Sequence, residues 1–167
     1  MGVTEESVRR LRRHYPGIVV VARSNTPVSP ARTALIDLLA DRPGLTGTLI
    51  NPLSGPILAV RVSVQGIVGG HSRVRCSYAL IVDTSDLQRA IPPVWVASPQ
   101  DSDIKHVNIW PENKSFCRFV GKNLPSFCWN TFANGWSRAP RPSRTLGNAL
   151  EFAKQLLNTE NYDSPAR

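Results

Sequence analysis

The stretch from residue 45 to residue 98 changes hydrophobic period from helical to two, and this most limits what the chain can become. "LTGTLI", "ILAVRVSVQG" and "SRVRCSYALIVD" alternate apolar and polar residues and are separated only by "NPLSGP" and "GIVGGH", both rich in turn formers. "VWVAS" follows, led in by the stiff pair Pro92-Pro93. Connections this short cannot cross over a sheet, so the four strands form an antiparallel meander.

Helical patterns flank the meander. In "TEESVRRLRRHYPG", Thr4 is the expected N-cap, Glu5 and Glu6 fill the first turn, and Pro16-Gly17 stop the helix. "GIVVVA" then reads as a short buried strand. "SPARTALIDLLADRPG" predicts a second helix, capped by Ser29, with Leu35, Ile36, Leu38 and Leu39 as its apolar residues. Near the C-terminus, Leu146, Leu150, Ala153 and Leu157 recur at helical spacing, with Ser143 or Thr145 as cap. The fold class is α+β, with helices packed on one antiparallel sheet. "RFVGKNLPSFCWNTFANGWSRAPRPS" is expected to be a long irregular stretch.

The 167 residues suffice for one core. No run of eighteen apolar residues is present, and "MGVTEESVRRLRRHYPG" lacks the apolar centre of a secretory signal, so no membrane anchor is expected; Gly2 is discounted as an acylation site. Cys76, Cys117 and Cys128 form no C-x-x-C pair and do not cluster with histidines. Neither a disulfide framework nor a metal site is expected, and reduced thiols fit a cytoplasmic setting. The net charge is +8, and sixteen of the twenty basic residues are Arg. Such a balance suits a nucleic-acid binder. The aromatics do not interleave with the basic residues as a stacking groove requires, so nucleic acid is not expected as a partner.

"KHVNIWPENKSFC" carries the candidate chemistry. A Cys117 thiolate could attack a carbonyl and hold the acyl group as a thioester. An Asn108 amide near that thioester could donate to the oxyanion as an amine attacks, which suits transfer to an amine better than hydrolysis. His106 is read as holding the turn rather than acting as a base. The bland alternatives are a buried thiol at Cys117 and an Asx turn at Asn108. Cys76 and Cys128 are read as buried thiols, Cys128 being the rival nucleophile.

From about Pro30 onward the chain resembles ubiquitin-conjugating enzymes. "SYALIVDTSDLQRAIPPVWVAS" is similar to the family's third and fourth strands with their Pro-Pro lead-in. His106-Val107-Asn108 resembles its His-Pro-Asn turn, and Cys117 falls at the catalytic position. Trp136-Ser137 resembles the start of Trp-Ser-Pro, and "LLNTENYDSPAR" the closing motif. The departures are Val107 for Pro, one extra residue between Asn108 and Cys117, about ten extra before Trp136, and Ser164 after Asp163. This divergence is similar to the bacterial branch found in anti-phage ubiquitin-like conjugation systems.

The resemblance implies a UBC-like fold, with residues 1–29 as a basic helix and short strand before a catalytic unit at 30–167. It implies that an activating-enzyme-like protein passes a ubiquitin-like protein to Cys117, and that a target lysine then attacks the thioester, with Asp163 orienting it. It implies that Arg9, Arg10, Arg12 and Arg13 dock the activating enzyme. No metal or cofactor is expected, because the thioester already stores the activation. The alternatives are a catalytically inactive conjugating-enzyme-like binding module and a basic nucleic-acid-binding domain.

Overall fold

The computed structural model describes residues 2–23, 34 and 55–166. The strand "LTGTLI" and the helix predicted from Pro30 to Asp41 lie outside them, apart from Ala34, which is helical. Helix α1 (Glu5–Leu11) begins as a capping box: the Ser7 N–H donates to the Thr4 hydroxyl, and the Thr4 N–H donates to the Ser7 hydroxyl. Only Val8 of this helix is fully buried. Strand β1 (Val19–Arg23) is buried throughout. Arg23 pairs with Glu5, tying the strand to the helix before it.

Strands β2 (Ile57–Gly69), β3 (Ser72–Asp83) and β4 (Val94–Ser98) match the sequence expectation closely. The sheet is larger than the expected four-stranded meander. Its order is β1-β2-β3-β4-β8-β5, all antiparallel, with β5 at Ile109–Trp110 and β8 at Ser126–Phe127. A separate hairpin pairs β6 (Phe116–Cys117) with β7 (Lys122–Asn123). The stretch expected to be irregular therefore holds the second strand of the hairpin, a sheet strand and helix α2 (Thr131–Arg138). Helix α3 (Leu146–Asn158) starts at Thr145, whose hydroxyl accepts the Asn148 N–H.

The pleat sorts side chains onto two faces. Val60, Val62, Val64, Tyr78, Leu80, Val82, Val94 and Val96 face the core that α3 covers with Leu146, Leu150, Ala153 and Leu157. Ala59, Ile81 and Trp95 face the other way, joining Val19 and Val21 in a second cluster. Trp136, buried in the main core, donates from Nε1 to the Leu87 carbonyl.

Helix α3 crosses β2 at Gly66. A Cβ there would lie 2.7 Å from Leu157 Cβ and 2.8 Å from the Leu157 carbonyl oxygen. Gly66→Ala is therefore expected to cost about 1–3 kcal/mol by overpacking. Urea unfolding followed by tryptophan fluorescence checks this, and an unchanged midpoint would contradict the close crossing.

Candidate functional site

His106 and Asn108 lie at the C-terminal end of α3. Both are almost fully buried. The Asn108 amide donates to the carbonyls of Leu156 (3.4 Å) and Thr159 (2.9 Å), and its Oδ1 accepts the Asn161 N–H (3.3 Å). It thereby satisfies the Thr159 carbonyl just past the helix and adds a second bond to the Leu156 carbonyl, which also accepts the Thr159 N–H. The Asn108 carbonyl accepts the Cys128 N–H at 2.8 Å. All these bonds hold the C-terminal segment and β8 to the turn, and the amide has no donor left for an oxyanion.

The His106 ring lies edge-on to Tyr78, and its Nδ1 accepts the Asn108 N–H at 3.3 Å. The proton of the neutral ring therefore sits on Nε2, which closes no hydrogen bond of ordinary geometry. Burial pushes the His106 pKa down, against opposing pulls from the Glu160 carboxylate and the Leu157 backbone. His106 is thus buried in the turn and held there to Asn108.

Cys117 is elsewhere. It packs with Ala59, Ile81, Trp95, Phe119 and Leu124, on the sheet face turned away from α3. The Trp95 indole N–H donates to Ser115 Oγ at 2.8 Å and fixes the hairpin over that face. Eight residues of chain separate Asn108 from Cys117, and they lead from the helix side of the sheet to the opposite side. Cys117 is 0% exposed. Burial raises its pKa, backbone N–H groups of Phe119 and Val120 lower it, Asp83 raises it and Arg118 lowers it, for a net rise. Arg118, in the turn of the hairpin, ties it to the end of β3 by donating to Asp83 Oδ2 (3.0 Å) and Ser85 Oγ (3.1 Å).

The structure brings His106 and Asn108 together and does not bring Cys117 to them. Asp163 is exposed, and its backbone N–H closes a turn onto Asn161 Oδ1. Cys128 is buried; Cys76, expected to be buried, is half-exposed because the first half of β3 projects past the core. On α1, Arg9 and Arg10 are exposed and Arg10 pairs with Glu6; just past the helix, Arg12 is half-buried and Arg13 is exposed. Among the described residues no three His, Cys, Asp or Glu side chains gather as a metal site would need, and no helix is long and apolar enough to cross a membrane.

One cluster escaped the sequence reading. The Glu160 carboxylate accepts the N–H groups of Gly70 (2.6 Å) and His71 (3.2 Å) and the Tyr162 hydroxyl (2.6 Å). The His71 and Tyr162 rings stack at 4.5 Å. The only sequence signal was "GGH", read as a turn and nothing more. Burial raises the Glu160 pKa, but its hydrogen bonds from Tyr162, Gly70 and His71, helped by His106, leave it below its ordinary value.

These two shifts give a pH dependence. His106 has a folded-state pKa below its ordinary 6.5, so its stabilising contribution is present above that value and is lost as the pH falls below it. Glu160 is depressed below its ordinary 4.5, so its contribution is present above 4.5 and is lost as the pH falls through the lower folded-state value. Stability should decline in two stages on acidification. In His106→Gln the stage that begins near pH 6.5 should be absent from thermal melts taken across pH; its persistence would assign that stage to another group.

Comparison with known proteins adds no relative: no protein-family profile, no curated protein and no solved structure matches this chain.

Proposed function

We propose that the chain is a conjugating-enzyme-like protein-binding module of UBC-like architecture, which docks a ubiquitin-like protein or its activating enzyme without carrying the acyl group itself. The observation that carries this reading is the position of Cys117, enclosed on the face of the sheet opposite Asn108. A carrier thiol must meet the C-terminus of another protein and be attacked there by an amine. A thiol with no exposed surface and a raised pKa offers neither access nor thiolate. The Asn108 amide, spent on the end of α3, offers no donor to a tetrahedral adduct. The exposed arginines of α1 supply a charged docking face. Bacterial antiviral conjugation is the setting in which such a module belongs.

A second reading, the thioester carrier on Cys117, draws support from the Phe119 and Val120 amides directed at the thiol and from Arg118 beside it, all of which favour the thiolate. The deciding experiment incubates the chain with ATP, an activating enzyme and a ubiquitin-like protein. The module co-elutes with one of them and gives no reductant-sensitive adduct. A thioester on a non-reducing gel would replace it with the carrier.

A further inference from the structure

Three successive residues at the turn between β2 and β3 have positive φ: Gly69 (85°), Gly70 (60°) and His71 (70°). His71 adopts a backbone conformation that residues with a Cβ enter at a cost. Such a run turns consecutive N–H groups to one side and makes a concavity suited to an oxyanion. Glu160 fills it, taking the Gly70 N–H and sharing the His71 N–H with the Tyr162 hydroxyl oxygen (3.1 Å). Around it lies a cavity of about 200 Å³ lined by Ile67, His71, Arg73, Asn158, Glu160 and Tyr162. No carboxylate lies within ion-pair distance of Arg73 among the described residues. Its charge is nevertheless felt at the Tyr162 hydroxyl. The cavity thus offers more positive charge and more donors than one carboxylate uses.

We infer that this turn is a receptor for a phosphoryl group or free phosphate, which Glu160 occupies in cis. A phosphate dianion presents more acceptor oxygens and more charge than a carboxylate, and it can engage Arg73 together with both N–H groups and Tyr162. The occupant also bears on His106 and Asn108. The residues on either side of Glu160 are those that bind Asn108: Thr159 through its carbonyl and Asn161 through its N–H. Beneath the turn, a Cβ on Gly69 would come within 2.6 Å of His106 Cα. His106 itself is 0% exposed, with Nε2 closing no hydrogen bond of ordinary geometry. Displacing Glu160 therefore loosens the strap that holds the Asn108 amide and covers His106. The receptor stands whether or not the chain docks a ubiquitin-like protein.

An intramolecular carboxylate competes at high effective concentration, so phosphate should bind the wild type weakly. The test is titration of the full-length ¹⁵N-labelled chain with inorganic phosphate, in wild type, Glu160→Gln, Glu160→Ala and Glu160→Ala/Arg73→Ala. Thermal melts confirm that each is folded. Glu160→Ala is expected to bind on the order of tenfold or more tighter than wild type, with shifts at the Gly70 and His71 amides and at the Asn108 side-chain amide. Glu160→Gln, which keeps the shape and loses the charge, should fall between them. Adding Arg73→Ala should remove most of the gain. A short phosphoserine peptide forms a parallel arm. Tighter binding than free phosphate identifies a phosphorylated protein as the source, and equal or weaker binding identifies the free ion. Equal shifts in wild type and Glu160→Ala, or shifts indifferent to Arg73→Ala, would mean an adventitious ion only and overturn the receptor.

Discussion

Asn108→Ala should lose about 2–4 kcal/mol of folding stability, because it removes three side-chain hydrogen bonds and leaves the Thr159 carbonyl and the Asn161 N–H without their partner. Both lie partly buried at the end of α3, where water replaces the amide poorly. Asn108→Asp keeps the acceptor for Asn161 but places negative charge against two carbonyls, so it should be no milder. The comparison is urea unfolding with the fluorescence of the four tryptophans as probe. A change below about 0.5 kcal/mol, within the range of an ordinary surface substitution, would mean that these bonds do not hold in solution. The result also governs how activity data are read. Slower acyl transfer in an Asn108 variant would report the loosened turn before it reported a lost oxyanion donor, so stability has to be measured first.

The contrast between Asn108 and the meander shows which features a sequence displays. Strands β2 and β3 are long and meet at a turn of two residues, so local pattern and tertiary structure agree. The caps act within one turn of chain: Thr4 was visible outright, and Thr145 as one of two candidates with Ser143. By contrast β5, β6, β7 and β8 are two residues each, too short to carry a period. Helix α2 contains Asn134 and Gly135, both poor helix formers, and buries only Trp136 completely. For Asn108, local sequence offered an Asx turn, whereas the observed side-chain partners lie 48 to 53 residues away. For Cys117, proximity along the chain suggested proximity in space. It could not reveal that the hairpin passes to the far face, since nothing in "WPENKSFC" records which side of the sheet the chain takes. The Glu160 cluster depends on a pairing 90 residues apart and has no local signature.

The position of Cys117 also gives the prediction that best separates the two functional readings. In the native chain Cys76 should react first with a thiol reagent, because it is the half-exposed thiol. Cys117, with no exposed surface and a raised pKa, should react only when the hairpin of β6 and β7 opens. That opening must break the Trp95–Ser115 bond and the contacts of Arg118 with Asp83 and Ser85. Modification of Cys117 should thus be on the order of a hundredfold or more slower than that of Cys76, as expected for a site gated by an opening of about 3 kcal/mol, and should become equal to it in denaturant. Mass spectrometry of timed alkylation, with Cys76→Ser and Cys117→Ser as references, resolves the two sites. Arg118→Ala should speed labelling of Cys117 by loosening the hairpin. If native Cys117 instead alkylates as fast as Cys76, the thiol is available to a partner and the carrier reading gains. Under that reading Cys117→Ala abolishes the reductant-sensitive adduct, Cys117→Ser gives one that resists thiols because an oxygen ester replaces the thioester, and Cys128→Ala keeps the adduct. Loss of the adduct in Cys128→Ala alone would move the acyl group to the cysteine whose backbone N–H is bonded to Asn108.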